Sequence, residues 1–169
     1  MKMIFGLLLS LSVQSLYAKA FMLTNAKADY TVKHLFKTVK GESHELKGKL
    51  VCENNACDFL VAIPAKSFVS SDSNRDLNMQ TILEVSKYPL VTVKGTFPEA
   101  QLSKPQFDVK SSVNFHGVEK EYVLNIKNGG PSSGQLTLLL EDHKVERPSL
   151  LMAKIDNKVP VTFSFTWKE

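Results

Sequence analysis

The sequence has few of the residues from which metal and catalytic sites are built. Its 169 residues include two cysteines and four histidines, and no two histidines have the spacing of a metal site. No G-x-S-x-G segment is present, the turn that exposes a catalytic serine in many hydrolases. The paired carboxylates Glu141-Asp142 and Asp72/Asp76 fall in predicted turns. We therefore expect no metal, no cofactor and no catalytic residue.

Long hydrophobic runs are also scarce, and the one candidate lies at the N-terminus. Residues 1–20 place Lys2 before an apolar run from Met3 to Leu11, and small residues follow at Ala18 and Ala20. This is the pattern of a secretory signal peptide, and the run is shorter than the roughly 20 residues that span a bilayer. We expect cleavage after Ala20, with Ala18 as the alternative, and an exported protein that is not an integral membrane protein.

The sequence has no strong excess of either charge. The formal net charge is +4 for the whole chain and +2 for residues 21–169, where 19 basic residues face 17 acidic ones once Lys2 and Lys19 are removed. Lys and Arg do not cluster among aromatic residues, so nothing points to a nucleic-acid partner. The length of this mature part suits one domain, and a chain of this size needs no metal to fold.

The two cysteines, Cys52 and Cys57, are separated by four residues and lie between two apolar runs. Asn54-Asn55 between them favours a tight turn, which predicts a hairpin with the two thiols facing each other. In an exported protein such a pair is expected to form a disulfide, which stabilises by only about 2 kcal/mol for so short a loop. A redox-active pair would have C-x-x-C spacing before a helix, so we expect a structural disulfide.

Apolar and polar residues alternate with a period of two along most of the chain, most clearly from Val159 to Trp167. One apolar and one polar face on each strand indicates an antiparallel sheet with one side in water. We predict eight strands, at 28–40, 43–52, 57–63, 90–98, 106–115, 120–127, 134–141 and 158–167. This number favours a closed barrel or a sandwich, and a barrel leaves no exposed edge strands.

One segment departs from the alternation. Ser73 and Asp76 have the spacing of a capping box, with serine as the N-cap and an acid three residues later. An apolar stripe with helical spacing begins at Met79, and the proline at position 89 stops the helix. We predict a short amphipathic helix at about 74–85 that covers one end of the barrel.

Five segments, in this order, match the pattern of a known family. They are Y30-T-V-K-H-L-F-K-T-V-K-G41, I63-P-A-K-S-F68, S73-N-R-D-L-N-M79, V85-S-K-Y-P-L-V-T-V-K-G95 and V113-N-F-H-G-V-E-K-E-Y-V123. No single segment is specific, but the ordered set resembles the YceI-like proteins of the bacterial periplasm. The resemblance implies an all-β fold, an eight-stranded antiparallel lipocalin-like barrel with one short lid helix. It also implies a long-chain lipid, such as a polyisoprenoid, in the apolar interior.

The sequence departs from the family pattern at three places. Asn78 stands where the family often has histidine, and residues 146–160 lack the usual aspartate-phenylalanine-glycine loop. The hairpin of Cys52 and Cys57 is not a general feature of the family. The first two departures concern polar contacts near the helix and in the final loop, and none of the three affects the barrel.

The apolar interior is the candidate ligand site. Residue types alone leave open whether the barrel is hollow or filled by its own side chains, and the resemblance favours a cavity. The predicted lining is Tyr30, Val32, His34, Phe59, Val61, Ile63, Val93, Phe97, Val113, Phe115, Leu124, Leu138, Phe163 and Phe165. The lid is predicted to add Leu77, Met79, Leu83 and Tyr88. Arg75 is the candidate for a headgroup contact, because arginine binds phosphate as a two-pronged fork, although Arg75-Asp76 also suits a structural ion pair.

These observations predict a periplasmic protein that holds a long-chain isoprenoid-type or related amphiphilic ligand and carries or sequesters it. Two alternatives stay open. One is a solid-core barrel that acts as an interaction or stress-response module, and the other is a lipid-modifying enzyme. The sequence determines neither the identity of the lipid nor whether the protein forms a homodimer.

Overall fold

The structure, a computed structural model, describes residues 18–35, 37–150 and 153–169, so most of the predicted signal peptide lies outside it. The strands in these ranges are β1 Lys19–His34, β2 Lys37–Ser43, β3 Lys47–Glu53, β4 Ala56–Pro64, β5 Val69–Ser70, β6 Leu90–Pro98, β7 Gln106–Phe115, β8 Val118–Lys127, β9 Ser132–Leu139, β10 Ser149–Leu150, β11 Ala153–Lys154 and β12 Lys158–Lys168. The helix α1 spans Ser73–Ile82, and short 3-10 turns lie at Ala65–Ser67, Glu99–Ser103 and Glu141–His143.

Eight of the strands close into an antiparallel barrel. Their order is β12-β9-β8-β7-β6-β4-β3-β1, and β1 pairs back onto β12 between Met22 and Tyr30. Closure pairs the backbone groups that an open sheet would leave at its edges. The predicted all-β fold, an eight-stranded barrel with one short helix, is confirmed.

Strand β1 has two neighbours along one of its edges. Its first residues, from Lys19, pair with β3, and its last residues, up to His34, pair with β2. A β-bulge between Thr24 and Lys27, where Asn25 has a φ of 48°, bends the strand between these two partners. β5 then pairs with the far edge of β2. Two short strands therefore extend the sheet beyond the barrel, next to α1.

Two of the predicted strands have different bounds in the structure. The predicted strand 28–40 is divided between β1 and β2 by a turn at Leu35, because the alternation continues across a turn that contains neither glycine nor proline. The predicted strand 43–52 begins only at Lys47, because Ser43 Oγ accepts a hydrogen bond from the Glu45 N–H at 3.2 Å and holds a turn there. The other six lie within two residues of their predicted bounds.

The hairpin between β3 and β4 confirms the predicted disulfide. Asn54 and Asn55 both have positive φ values, 53° and 63°, as a two-residue type I′ turn requires. The turn brings Cys52 opposite Cys57, with 4.0 Å between their Cα atoms and a disulfide between their sulfurs. Both residues are buried in the apolar core at this end of the barrel, which we call the disulfide end.

Helix α1 is capped differently from the prediction. Asp72, not Ser73, is the N-cap, and its carboxylate accepts hydrogen bonds from the N–H groups of Asn74 and Arg75 at 3.1 Å each. A carboxylate here also interacts with the positive end of the helix dipole, an advantage that a serine hydroxyl lacks. The helix ends at Ile82, three residues before the predicted end.

The predicted ion pair between Arg75 and Asp76 is replaced by two other contacts. Both carboxylate oxygens of Asp76 accept the Ser70 N–H, at 2.9 and 3.0 Å. Arg75 pairs with Asp72 at 3.4 Å and donates to Ser70 Oγ at 3.2 Å. The two side chains therefore fasten the helix to β5 separately.

The barrel wall between β8 and β9 is closed partly by side chains. Only three residue pairs join these strands in register, against ten between β7 and β8. Beyond them, His143 Nδ1 donates to the Val118 carbonyl at 2.9 Å, and Nε2 accepts from the Tyr122 hydroxyl at 2.8 Å. His143 is fully buried. It lies in the 3-10 turn after β9, and its imidazole fills this gap in the wall.

Candidate functional site

The barrel holds a cavity of about 610 Å³, which is within the range of small-molecule sites in proteins. Its lining includes all fourteen residues predicted on the barrel strands: Tyr30, Val32, His34, Phe59, Val61, Ile63, Val93, Phe97, Val113, Phe115, Leu124, Leu138, Phe163 and Phe165. The period-two alternation determines which way these side chains point, so their inward direction was accessible from the sequence. The barrel is therefore hollow, while the role of these residues in binding stays a prediction.

Three pairs of an aromatic residue and a glycine keep this cavity open. In each pair the aromatic residue lines the cavity and the glycine lies opposite it on the neighbouring strand. The pairs are Tyr30–Gly41, Phe59–Gly95 and Phe163–Gly134. A Cβ on any of these glycines would collide with the ring, so each ring lies over its glycine, along the wall. An isolated glycine inside a strand marks such a position in the sequence, but its aromatic partner follows only from the strand register.

The cavity opens at the end of the barrel that α1 covers, which we call the mouth. Five of its lining residues are also exposed to solvent: Lys37, Asn78, Glu146, Pro148 and Ser149. They lie on β2, on α1, and at the start of β10 or just before it. At the opposite, disulfide end, the polar side chain in the lining is that of Asn128, and its amide donates to backbone carbonyls such as that of Lys104 at 2.6 Å. The free polar surface of the cavity is therefore at the mouth.

Arg75 lines the mouth, and its guanidinium is held in place by Ser70 and Asp72. The side chain is 26% exposed. A guanidinium carries five N–H groups, so donors remain for an anionic group at the mouth. Burial, together with the charge of Asp76, raises the pKa of the nearby Tyr30, which therefore stays a neutral hydroxyl.

Two of the four predicted lid residues do not line the cavity. Met79 and Leu83 do, together with Asn78 and Ile82, which were not in the predicted set. Leu77 is 60% exposed, because at 3.6 residues per turn it lies on the face of α1 opposite to the one that meets the cavity.

Tyr88 is the second exception. It follows the helix and packs on the outside of the turn between β7 and β8, with its ring centroid 4.6 Å from that of His116. It covers Gly117, whose φ is 73° and whose Cα leaves room for the ring.

The histidines near the mouth link separate parts of the chain by polar contacts. His34 lies inward, as predicted, with its Nε2 3.1 Å from the Ala153 carbonyl. His116 lies between two loops, with Nδ1 3.1 Å from the His143 carbonyl and Nε2 3.1 Å from the Glu84 carboxylate. Sequence patterns give no sign of this link, because its members come from three separate loops.

Within the described ranges, no three His, Cys, Asp or Glu side chains are placed to hold a metal ion. No helix there is long and apolar enough to cross a membrane. Chemically, the arrangement offers an apolar volume with charged side chains at its opening, the basic Lys37 and Arg75 and the acidic Glu146.

Comparison with known proteins identifies the family pattern over almost the whole chain. A model of the YceI-like domain matches residues 20–167. No curated protein matches the chain.

Several solved structures share the fold. A polyisoprenoid binding domain from Saccharophagus degradans, implicated in plant cell wall breakdown, has a TM-score of 0.70 at 17% identity, covering 88% of this chain and 97% of that one. BcnA of Burkholderia cenocepacia has a TM-score of 0.70 at 14% identity, covering 85% and 96%. The YCEI protein of Campylobacter jejuni has a TM-score of 0.61 at 15% identity, covering 81% and 90%. At such identities the likeness shows the fold alone.

Proposed function

The chain belongs to the YceI-like family, and from this premise we propose that it binds a long-chain lipid, such as an isoprenoid or a related amphiphile, in the barrel cavity. It carries or sequesters that lipid and leaves it chemically unchanged. The proposal includes export of the protein to the periplasm through a signal peptide. A protein of similar fold is itself a polyisoprenoid binding domain, which supports this class of ligand.

The cavity is the observation that carries the proposal. About 610 Å³ is lined mainly by aliphatic and aromatic side chains, and burying a hydrocarbon chain there would contribute roughly 0.8 kcal/mol per methylene. A polar ligand would lose hydrogen bonds to water that such a lining does not replace. Lys37, Arg75 and Asn78 lie at the mouth, which suits an amphiphile whose headgroup stays at the opening.

Strand β1 favours Ala18 over Ala20 as the cleavage site of the signal peptide. Lys19 and Ala20 pair with β3, and Lys19 Nζ lies 3.1 Å from the Glu99 carboxylate. Cleavage after Ala20 would remove both paired residues, whereas cleavage after Ala18 keeps the strand whole. N-terminal sequencing of the exported protein should therefore begin at Lys19, and a start at Phe21 would contradict this expectation.

Native mass spectrometry tests the binding proposal directly. Protein purified from its host should lose the mass of one lipid, several hundred daltons, after extraction with organic solvent. Equal masses before and after extraction would count against a bound lipid.

A pair of matched substitutions then tests where the lipid lies. Val93 lines the cavity, whereas Val123 points outward from β8 and is 60% exposed. Val93→Trp should reduce the amount of bound lipid, because the indole occupies part of the cavity. Val123→Trp adds the same atoms outside the barrel and should leave the lipid content unchanged. Equal lipid content in the two variants, with both barrels folded by circular dichroism, would show that the lipid is not in the cavity.

A further inference from the structure

Large apolar side chains are exposed around the mouth of the cavity. Leu35, in the turn between β1 and β2, is 74% exposed, and Leu77, on the outer face of α1, is 60% exposed. Each belongs to an element that also supplies the cavity lining, through His34 and Lys37 beside Leu35 and through Met79 on α1. The outer surface of the mouth is therefore partly apolar.

The hairpin that carries Leu35 is basic. Residues 30–41 include Lys33, Lys37 and Lys40 but no aspartate or glutamate. All three lysines are exposed. On the barrel wall, by contrast, Lys94 pairs with Glu119 at 3.0 Å. The exposed leucine thus lies on a basic hairpin, while Glu146 is an exposed acidic residue in the lining of the mouth.

The hairpin and the helix lie side by side. Lys37 and Arg75 both line the mouth. β5 pairs with β2 of the hairpin, and Ser70 of β5 accepts a hydrogen bond from Arg75 of α1, so β5 links the two elements. Leu35 and Leu77 therefore belong to one end surface of the barrel.

We propose that this end surface docks on an anionic lipid bilayer, with Leu35 and Leu77 entering the interface and the hairpin lysines contacting the headgroups. The mouth then faces the bilayer, and the ligand passes between membrane and cavity without crossing water. This inference rests on the proposed function, since a long-chain lipid has to be taken up from a membrane or delivered to one.

The chemistry of the surface favours a bilayer over a protein partner. Apolar side chains beside lysines match an interface in which acyl chains lie beneath anionic headgroups. A stable protein interface needs a larger, continuous surface of roughly 800 Å² on each partner, and the exposed leucines here stand singly on two elements.

Cosedimentation with vesicles tests the role of Leu35. The purified protein should bind vesicles of phosphatidylethanolamine and phosphatidylglycerol more strongly than vesicles of phosphatidylcholine. Leu35→Asp should lower the partition coefficient about tenfold, because an apolar anchor is replaced by a charge that the anionic surface repels. The matched control is Leu60→Asp on the wall strand β4, where the leucine is 51% exposed. It makes the same charge change and should keep partitioning within about twofold of the wild type.

A second pair of variants tests the charges. Lys33→Gln/Lys40→Gln should remove most of the preference for phosphatidylglycerol. Lys49→Gln/Lys127→Gln removes two exposed lysines from β3 and β8 and should retain the preference. Equal vesicle binding by the wild type and the Leu35 variant, or by the two lysine variants, would overturn the docking proposal.

Loading of farnesyl phosphate from detergent solution, with no bilayer present, separates this inference from the proposed function. Loading without any vesicle binding would overturn docking and leave the proposed function intact. Failure to load a lipid by either route would overturn the proposed function itself. If Leu35→Asp instead converts a dimer to a monomer in sedimentation velocity and leaves vesicle binding unchanged, the surface joins two copies of the chain and docking is wrong.

Discussion

The imidazole of His143 joins β8 to the turn after β9 through both of its ring nitrogens. Its Nδ1–H donates to the Val118 carbonyl, so Nε2 carries the lone pair that accepts from the Tyr122 hydroxyl. Burial lowers the pKa of His143, and its hydrogen bonds to the carbonyls of Val118 and Phe115 oppose that shift in part. The nearby charges of Asp142 and Lys120 have smaller effects of opposite sign. Protonation would therefore place a charge in the buried wall and turn the Tyr122 hydroxyl from donor to acceptor.

The free energy of unfolding should accordingly fall as the pH drops below about 6.5, the usual pKa of histidine in an unfolded chain. Because the folded pKa is lower, the unfolded chain binds more protons in this range, and acid favours unfolding. The contribution of His143 is complete above the unfolded pKa and is lost as the pH falls toward the folded one. Urea denaturation between about pH 7.5 and pH 5 measures this slope.

Two histidine variants identify the source of that slope. His143→Gln should flatten it. His44→Gln should not, because the side chain of His44 is 63% exposed. A slope in His143→Gln equal to that of the wild type would show that other groups cause the acid sensitivity.

Arg75 should distinguish lipids by their headgroups. Hydrogen bonds to charged groups contribute about 1.5–3 kcal/mol, so Arg75→Gln should weaken binding of farnesyl phosphate at least about tenfold while changing the affinity for farnesol little. Lys66→Gln, in the exposed part of the turn Ala65–Ser67, is the control. Equal losses for both ligands, measured by isothermal calorimetry, would mean that Arg75 only holds α1 in place.

At the residue scale, sequence patterns predict which way a side chain points better than they predict which residues it contacts. The alternation predicts the inward direction of the fourteen barrel side chains that line the cavity, because strand geometry determines their direction locally. Tyr88 was misplaced because the turn at His116 and Gly117, which lies far from it in the sequence, supplies its packing partner. The partners of His143 could not be predicted for the same reason.

Among the elements, α1 is held at its N-terminal end by carboxylates. Asp76 is buried and accepts the Ser70 N–H with both oxygens. Asp76→Ala leaves that N–H without its partner and should destabilise the attachment of the helix by about 2 kcal/mol. Hydrogen exchange at residues 72–82 should become faster, and a bound lipid should dissociate faster.

The matched control for this change is Asp58→Ala. Asp58 is an exposed residue of the wall strand β4 that accepts from the Thr96 hydroxyl. Its loss should leave the rate of hydrogen exchange at residues 72–82 and the rate of lipid dissociation unchanged. Unchanged exchange in Asp76→Ala would show that the apolar face of α1 holds the helix without the carboxylate.

The disulfide hairpin is the second element whose contribution can be isolated. Cys52→Ala/Cys57→Ala should lower the free energy of unfolding by about 2 kcal/mol or somewhat more, because the closed loop is short and both residues are buried in the core. Denaturation of the reduced wild type is the control and should show a similar loss. Lipid binding should persist, since the hairpin lies at the end opposite the mouth, and its complete loss would contradict this separation.

Element boundaries were predicted well where the turn contains residues that favour positive φ. Asn54-Asn55 and His116-Gly117 both adopt positive φ at two successive residues, and the strand ends next to these turns were placed within two residues. The turn at Leu35 has no such signal, so β1 and β2 were merged.

For the molecule as a whole, the number of amphipathic strands and the ordered family segments were sufficient to predict a closed barrel. They could not show whether it is hollow, because the same inward side chains can either fill a barrel or line one. The aromatic–glycine pairs resolve this point, since they depend on which residues face each other across neighbouring strands. Register of that kind is set by the assembled sheet.

The pairing of β1 with β12 also sets the order in which the molecule can form. Met22 lies opposite Lys168 and Tyr30 opposite Val161, so the first barrel strand has no partner on this edge until the last one has been synthesised. Closing so long a loop makes folding slow. During synthesis, the emerging chain therefore remains unclosed and open to chaperones and proteases. A product truncated before β12 would keep that edge of β1 unpaired. The barrel therefore closes only when both terminal strands are present.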